Sequence, residues 1–201
     1  MADPQRMEGR LSRRGAVARL LAARAQDWLL VTGLGTATYD AAAVADDPLN
    51  FYIWGAMGSA AMTGLGLALA QPARRVLVLT GDGEALMGLG ALATIAVQNP
   101  PNLGIVVLDN GAYGETGGQT SHTARGVDLA AVARGCGWRN AARINGEEAL
   151  ESFVERLGAV ESWPFFAAIA VRDDGEERTL PPREGVFLAD RFRSALGLPP
   201  S

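Results

Sequence analysis

Arg75-Val76-Leu77-Val78-Leu79-Thr80-Gly81-Asp82-Gly83 reads as a buried strand running straight into a glycine turn, and Leu103-Gly104-Ile105-Val106-Val107-Leu108-Asp109-Asn110-Gly111 repeats the pattern. Both apolar runs have strand length and lack helical periodicity. Between them the spacing predicts one helix over Glu84 to Gln98, with Leu86, Met87, Leu89, Leu92, Ile95 and Ala96 apolar, closed by Asn99-Pro100-Pro101-Asn102. A strand, a helix and a strand imply parallel neighbours joined by a right-handed crossover. Their carboxyl ends then lie side by side, and Asp82 with Asn110 offers two hard oxygen donors to one place. A Mg²⁺ ion holding a diphosphate needs such a set. Gly81 and Gly83 let main chain approach a ligand without Cβ atoms, and a helix opening at Glu84 would present free N–H groups to a phosphate.

Working outward, Ser12 is placed to cap a helix reaching about Ala25, and Trp28 to Thr32 reads as a short buried strand. It ends in Gly33-Leu34-Gly35-Thr36, the opening of a dinucleotide fingerprint without its third glycine and without a following helix and strand at the required distance. The expectation is therefore a glycine turn that helps line a phosphate site. Phe51 to Trp54 is a second short strand or an extended approach to the site. From Phe51 to Gln71 no charged residue occurs. Gly55, Gly58, Gly64 and Gly66, with Pro72 as terminator, favour a buried helix there over a membrane span. Downstream, Asn110 to Gly126 is a long glycine-rich polar loop of the kind that carries function. Val127 to Gly135 (helix), Ala141 to Ile144 (strand), Gly146 to Leu157 (helix) and Phe165 to Val171 (strand) follow. The alternation predicts an α/β fold, a doubly wound parallel sheet with helices on both faces. A single domain is expected over residues 1–201, with a core over 28–171 and a tail over 172–201 carrying a last helix from Leu188 to Leu196.

Composition narrows the chemistry. All 18 basic residues are Arg, so a Schiff-base lysine and a lysine-dependent phosphate loop are excluded. The lone Cys136, expected in the core, excludes an internal disulfide framework or a cysteine-ligated cluster and suits a reducing cytoplasm. A net charge of -4 gives no reason to expect nucleic acid. Arg13-Arg14 superficially matches an export signal, but Arg19 and Arg24 interrupt the apolar region behind it.

Asn110 lies 28 positions after Asp82, and this pairing resembles the signature of the thiamine diphosphate enzymes, in their diphosphate-binding, C-terminal type of domain. The resemblance implies that Asp82, Asn110 and the main-chain carbonyl of Ala112 ligate Mg²⁺. Asp109 departs from the family's usual Asn at the position before the ligand. Met57, 25 positions before Asp82, matches the side chain that wedges between the cofactor's two rings, against the plainer reading of a Met filling a core gap. More narrowly, Gly55-Ala56-Met57-Gly58, Gly81 to Met87, Gly90 to Ile95, Leu108 to Gly114 and Gly117-Gly118-Gln119-Thr120 look like the sulfopyruvate and phosphonopyruvate decarboxylases. The resemblance extends cofactor contacts to Gly55, Gly81, Gly83, Glu84, Ala85, Tyr113, Gly114 and Thr116. It implies a 2-oxo acid decarboxylase whose cofactor accepts the electrons released as CO₂ leaves.

In that family the activating glutamate comes from a pyrimidine-binding domain, for which this chain has no room. Glu84 and Glu115 sit on the diphosphate side and are not that residue. The expectation is a pyrimidine-binding, alpha-type partner subunit in a hetero-oligomer, such as an assembly of two copies of each, with a small anionic 2-oxo acid as substrate. His122, the only histidine, is a candidate general acid or substrate binder in the polar loop; an ordinary exposed loop histidine is the alternative. Glu115 and Arg125 are weaker candidates for lining the pocket and meeting an anionic substrate tail. Other functions left open are a carboligase or lyase of the same family, a non-catalytic module that binds thiamine diphosphate, and a plain nucleotide-binding domain.

Overall fold

The computed structural model describes residues 10–172 and 175–199. The polar start of the chain, over residues 1–9, and residues 173–174 and 200–201 of the predicted tail lie outside them. In order, the chain forms β1 (Leu11–Ser12), α1 (Arg13–Ala22), β2 (Leu29–Thr32), α2 (Thr36–Ala45), β3 (Asn50–Tyr52) and α3 (Ala60–Ala70). Then come β4 (Val76–Gly81), α4 (Asp82–Met87), α5 (Ala91–Gln98), β5 (Leu103–Asp109), β6 (Ala112–Tyr113), β7 (Gln119–Thr120) and α6 (Leu129–Gly135). The last elements are β8 (Ala141–Ile144), α7 (Glu147–Arg156), β9 (Phe165–Arg172) and α8 (Gly185–Ala195).

The main sheet runs β3-β2-β4-β5-β9, and the far side of β9 pairs with both β8 and β1. Every pairing in it is parallel. Because successive strand residues face opposite sides, the buried strands divide by parity. Leu77 and Leu79 face a layer built on α1, α2 and α7, whereas Val76 and Val78 face one built on α3, α5 and α6. Helices therefore cover both faces, as the alternation predicts. α8 closes the β3 edge by sending Leu188 to one layer and Phe192 to the other. Cys136 is partly buried against the second layer.

Local caps follow the sequence. Ser12 Oγ accepts from the Gly15 N–H at 3.2 Å, and Asp128 Oδ1 accepts from Ala130 and Ala131 at the start of α6. The uncharged stretch ends in an eleven-residue helix, α3, and no described helix is long and apolar enough to cross a membrane. Arg13 and Arg14, in the first turn of α1, pair with buried Asp40 at 2.5 and 3.0 Å.

Two expectations are corrected. The predicted helix over Glu84 to Gln98 is two helices, broken at Gly88-Leu89-Gly90. The break admits a neighbouring turn, since a Cβ on Gly88 would stand 2.2 Å from the carbonyl oxygen of Gly58. A helix and strand do follow Gly33-Leu34-Gly35-Thr36, namely α2 and β3, and β3 lies parallel to β2. Their signal is faint because, Tyr39 apart, α2 buries only small or polar residues, Ala37, Thr38, Asp40 and Ala41, instead of a large apolar stripe.

Candidate functional site

In an open α/β sheet, ligands settle beyond the carboxyl strand ends where the chain order reverses direction. Here that point lies between β2, which continues outward to β3, and β4, which continues the other way to β5 and β9. A cleft of about 260 Å³ opens there. Gly81 pairs with Leu108 in register, so the turns after β4 and β5 leave the sheet at the same level. The cleft is lined by Gly81 to Glu84 from one turn and Asn110, Ala112 and Tyr113 from the other, with Leu34 and Thr36 from the end of β2.

Asp82 is buried and opens α4, whose N-cap is Gly81. The helix thus starts two residues earlier than predicted and spans six residues. Asp82 Oδ2 accepts the hydroxyls of Ser121 and, at 3.0 Å, Thr123. Thr123 also approaches Asp109 Oδ1 at 2.7 Å. Burial raises the Asp82 carboxyl above its ordinary pKa, the two hydroxyls oppose the shift, and Asp109 adds to it. Asn110 folds into a local turn, its Oδ1 accepting from the Ala112 N–H at 2.9 Å, while its main-chain oxygen takes the Arg10 guanidinium at 2.9 Å.

Asp82, Asn110 and Ala112, all lining the cleft, bring to it one carboxylate, one amide side chain and, at Ala112, one main-chain carbonyl. Among the described residues no cluster of three or more His, Cys, Asp or Glu is placed to hold a metal. An all-oxygen set with a single carboxylate fits a hard ion that draws its remaining ligands from phosphates and water. Gly83 lets the two turns close on each other, since a Cβ there would stand 2.6 Å from the Tyr113 ring, whereas a Cβ on Gly81 would meet nothing within 4 Å, so main chain there is open beside the cleft.

Met57 lines the cleft at the tip of a strained turn. Gly55, Ala56 and Gly58 around it all have positive φ, and Ala56, at 45°, bears a side chain there. Such strain persists where the surroundings hold a residue in place, and the residue presented is Met57. Glu84 is buried and holds the loops together. Its carboxylate accepts from Thr80 Oγ1 at 2.8 Å and the Ala60 N–H at 3.1 Å, and burial raises its pKa against these bonds.

Of the residues expected to touch a cofactor, Gly55 and Ala85 do not line the cleft, and His122, the candidate general acid or substrate binder, does not line it either. His122 is exposed, its Nδ1 3.3 Å from the Tyr113 hydroxyl. Gly114 and Thr116 line the cleft, and Glu115 joins them. Arg125 is exposed at the end of the polar loop. Sequence reasoning missed Ser121 and Thr123. Hydroxyls two apart in a glycine-rich loop carry no spacing signal, and only the folded loop brings them to Asp82.

Comparisons with known proteins agree with this geometry. Residues 33–162 match the model for "Thiamine pyrophosphate enzyme, C-terminal TPP binding domain". A phosphonopyruvate decarboxylase of Streptomyces viridochromogenes is 39% identical over all of this chain, which spans 50% of that protein. A sulfopyruvate decarboxylase of Methanosarcina acetivorans is 40% identical over 74% of the chain and 38% of its own length. The sulfopyruvate decarboxylase subunit beta of Methanothermobacter thermautotrophicus is 45% identical over 76% of the chain and 83% of its length. Among solved structures, a thiamine diphosphate-dependent 4-hydroxybenzoylformate decarboxylase of Rhodococcus jostii superposes with a TM-score of 0.68 at 22% identity, over 85% of this chain and 34% of that one, a likeness of fold. Sheet, cleft and matched segment together make this chain a member of the thiamine pyrophosphate enzyme family, in its C-terminal, cofactor-binding domain.

Proposed function

We propose that the chain is the diphosphate- and magnesium-binding part of a thiamine diphosphate-dependent 2-oxo acid decarboxylase that works with a pyrimidine-binding partner subunit. The observation that carries this reading is the oxygen set of Asp82, Asn110 and Ala112 at the switch-point cleft. Asp82, oriented by Ser121 and Thr123, and the two carbonyl oxygens would hold Mg²⁺. The open glycine turn at Gly81 and the Thr36 and Thr116 hydroxyls would face the diphosphate, and Met57 would set the bend between the cofactor's rings. When bound, the cofactor supplies the electron sink for loss of CO₂. The relatives' names support a small anionic 2-oxo acid of the sulfopyruvate or phosphonopyruvate kind. His122 would approach such a substrate from the loop side through its contact with Tyr113.

The surface beside the cleft supports a protein partner. No charged residue occurs from Phe51 to Gln71 or from Ala85 to Leu108. α3 packs beside α5, and these helices expose Leu69 at 54% and Val97 at 81%, while Met87 at the end of α4 is exposed at 62%. Met87 also lines the cleft. An exposed apolar side chain at the mouth of a site, beside uncharged helices, suits a covering protein, and the subunit-beta names of relatives fit such an arrangement.

The test is ligand-linked stability. Mg²⁺ and thiamine diphosphate at a hundred times the dissociation constant stabilise a binding chain by about 2.7 kcal/mol, and Asp82→Ala abolishes the gain. An undiminished shift in that variant refutes the metal assignment. CO₂ release from sulfopyruvate and phosphonopyruvate by the complex with its co-purified partner tests the reaction, and inactivity of the complete complex on both favours a binding module.

A further inference from the structure

A strap of chain, residues 175–184, crosses the carboxyl end of the sheet beside the cleft. Arg14 pairs with Glu176 at 3.0 Å and donates to the Glu177 carbonyl at 2.6 Å. Further along, the Trp54 indole donates to the Pro182 carbonyl at 2.9 Å, and the Arg183 guanidinium covers the Trp54 ring at 4.9 Å from its centroid. Between these ties Arg178 lies over the Tyr39 ring at 5.5 Å and reaches Glu115 Oε2 at 3.8 Å. The Tyr39 hydroxyl donates to the same oxygen at 3.1 Å. Thr36 and Gly114 line both the cleft and the adjoining hollow bordered by Arg178.

Among the described residues the cleft carries three acidic side chains, Asp82, Glu84 and Glu115, and no basic one. A diphosphate is strongly anionic, so each carboxylate needs a counterpart. Asp82 has the cation to serve, and Glu84 is buried under Thr80 and Ala60. Glu115 is 29% exposed in its side chain and packs over the β2 turn, where a Cβ on Gly35 would stand 2.9 Å from its Cγ. Without Arg178 it would hold an uncompensated negative charge in the wall of the cleft. Arginine suits the position because a guanidinium stacks on an aromatic ring and meets a carboxylate at once.

We infer that Arg178 is a positioning residue: with Tyr39 it holds the Glu115 carboxylate toward α2 and the strap and neutralises it, which lets an anionic diphosphate enter an otherwise acidic cleft. The inference rests on the diphosphate reading of that cleft. It is tested by measuring thiamine diphosphate affinity at fixed Mg²⁺ for the chain as purified with any bound partner, in wild type, Arg178→Ala, Glu115→Gln, their double variant and Asp82→Ala. Arg178→Ala weakens binding about fivefold, which is about 1 kcal/mol, and the loss shrinks as salt is added. Glu115→Gln in the same chain restores wild-type affinity, because the unpaired charge is gone. A strap that merely packs would leave the double variant as weak as Arg178→Ala. That outcome, or wild-type affinity in Arg178→Ala, overturns the inference and leaves the cofactor reading standing. Equal binding by Asp82→Ala, or none by wild type, overturns both.

Discussion

Ser121 donates its hydroxyl to Oδ2 of Asp82, tying the glycine-rich loop after β5 to the carboxylate at the end of β4. Among the described residues the side-chain hydroxyls fall on that one oxygen, which leaves Oδ1 clear of them. Ser121→Ala removes a buried charge-assisted bond. The expected loss is about 1.5–3 kcal/mol in urea unfolding, together with a higher Mg²⁺ requirement for cofactor binding. Unchanged midpoints in both titrations would show that Thr123 alone holds Asp82.

Gly88 touches Gly58 where the turn bearing Met57 meets the break between α4 and α5. A Cβ on Gly88 meets main chain, which cannot rotate aside as a side-chain tip can. Gly88→Ala should therefore cost about 1–3 kcal/mol in spite of alanine's better helix propensity. It should also weaken cofactor binding by displacing Met57. Gly90→Ala, where a Cβ meets nothing within 4 Å, serves as the control and should be nearly neutral.

How much could be read from the sequence depended on residue size and range. β4, β5 and β9 are long apolar runs, so a parallel sheet and the level strand ends that carry Asp82 and Asn110 followed from them directly. α2 escaped because its buried Asp40 is satisfied by Arg13 and Arg14 from another helix, a pairing made only in the folded chain. The break at Gly88 escaped because Leu86, Met87 and Leu89 continue the helical period, while the reason to stop is contact with Gly58 thirty residues earlier. Glu115 gave no hint of its partners. Tyr39 and Arg178 reach it from opposite ends of the chain.

Tyr52 makes stability depend on alkaline pH. Its buried hydroxyl donates to Asp46 Oδ1 at 2.8 Å and accepts from Asn50 at 2.9 Å, and burial pushes its pKa far above the ordinary value, with Asp46 adding to the shift. In the unfolded chain the phenol ionises near pH 10, roughly its unperturbed value. The folded state thus holds a proton that the unfolded state releases. The associated stability is fully present below about pH 10 and is lost as pH rises beyond it. Tyr52→Phe should cost about 1 kcal/mol at neutral pH, and its deficit should narrow between pH 10 and 11. Melting curves that fall in parallel for the two proteins would refute the assignment.

Gly64 lets α3 lie flat on the sheet. A Cβ there would stand 2.2 Å from Val78 Cγ2, in the middle of β4 and below the strand end that carries Asp82. On helix propensity alone Gly64→Ala gains up to about 1 kcal/mol. Overpacking a close contact costs about 1–3 kcal/mol, so the net effect should be destabilising, read as a lower urea midpoint. Val78→Ala alone leaves a void and also destabilises. Combined, the two changes place the new methyl in the space vacated by Val78 Cγ2, although Val78→Ala removes a second methyl as well. The double variant should therefore recover much of the loss, with a coupling of roughly 0.5–3 kcal/mol. Simple additivity of the two losses would mean that α3 shifts away from β4 to admit the methyl, and the Met57 turn at its start would then move with it.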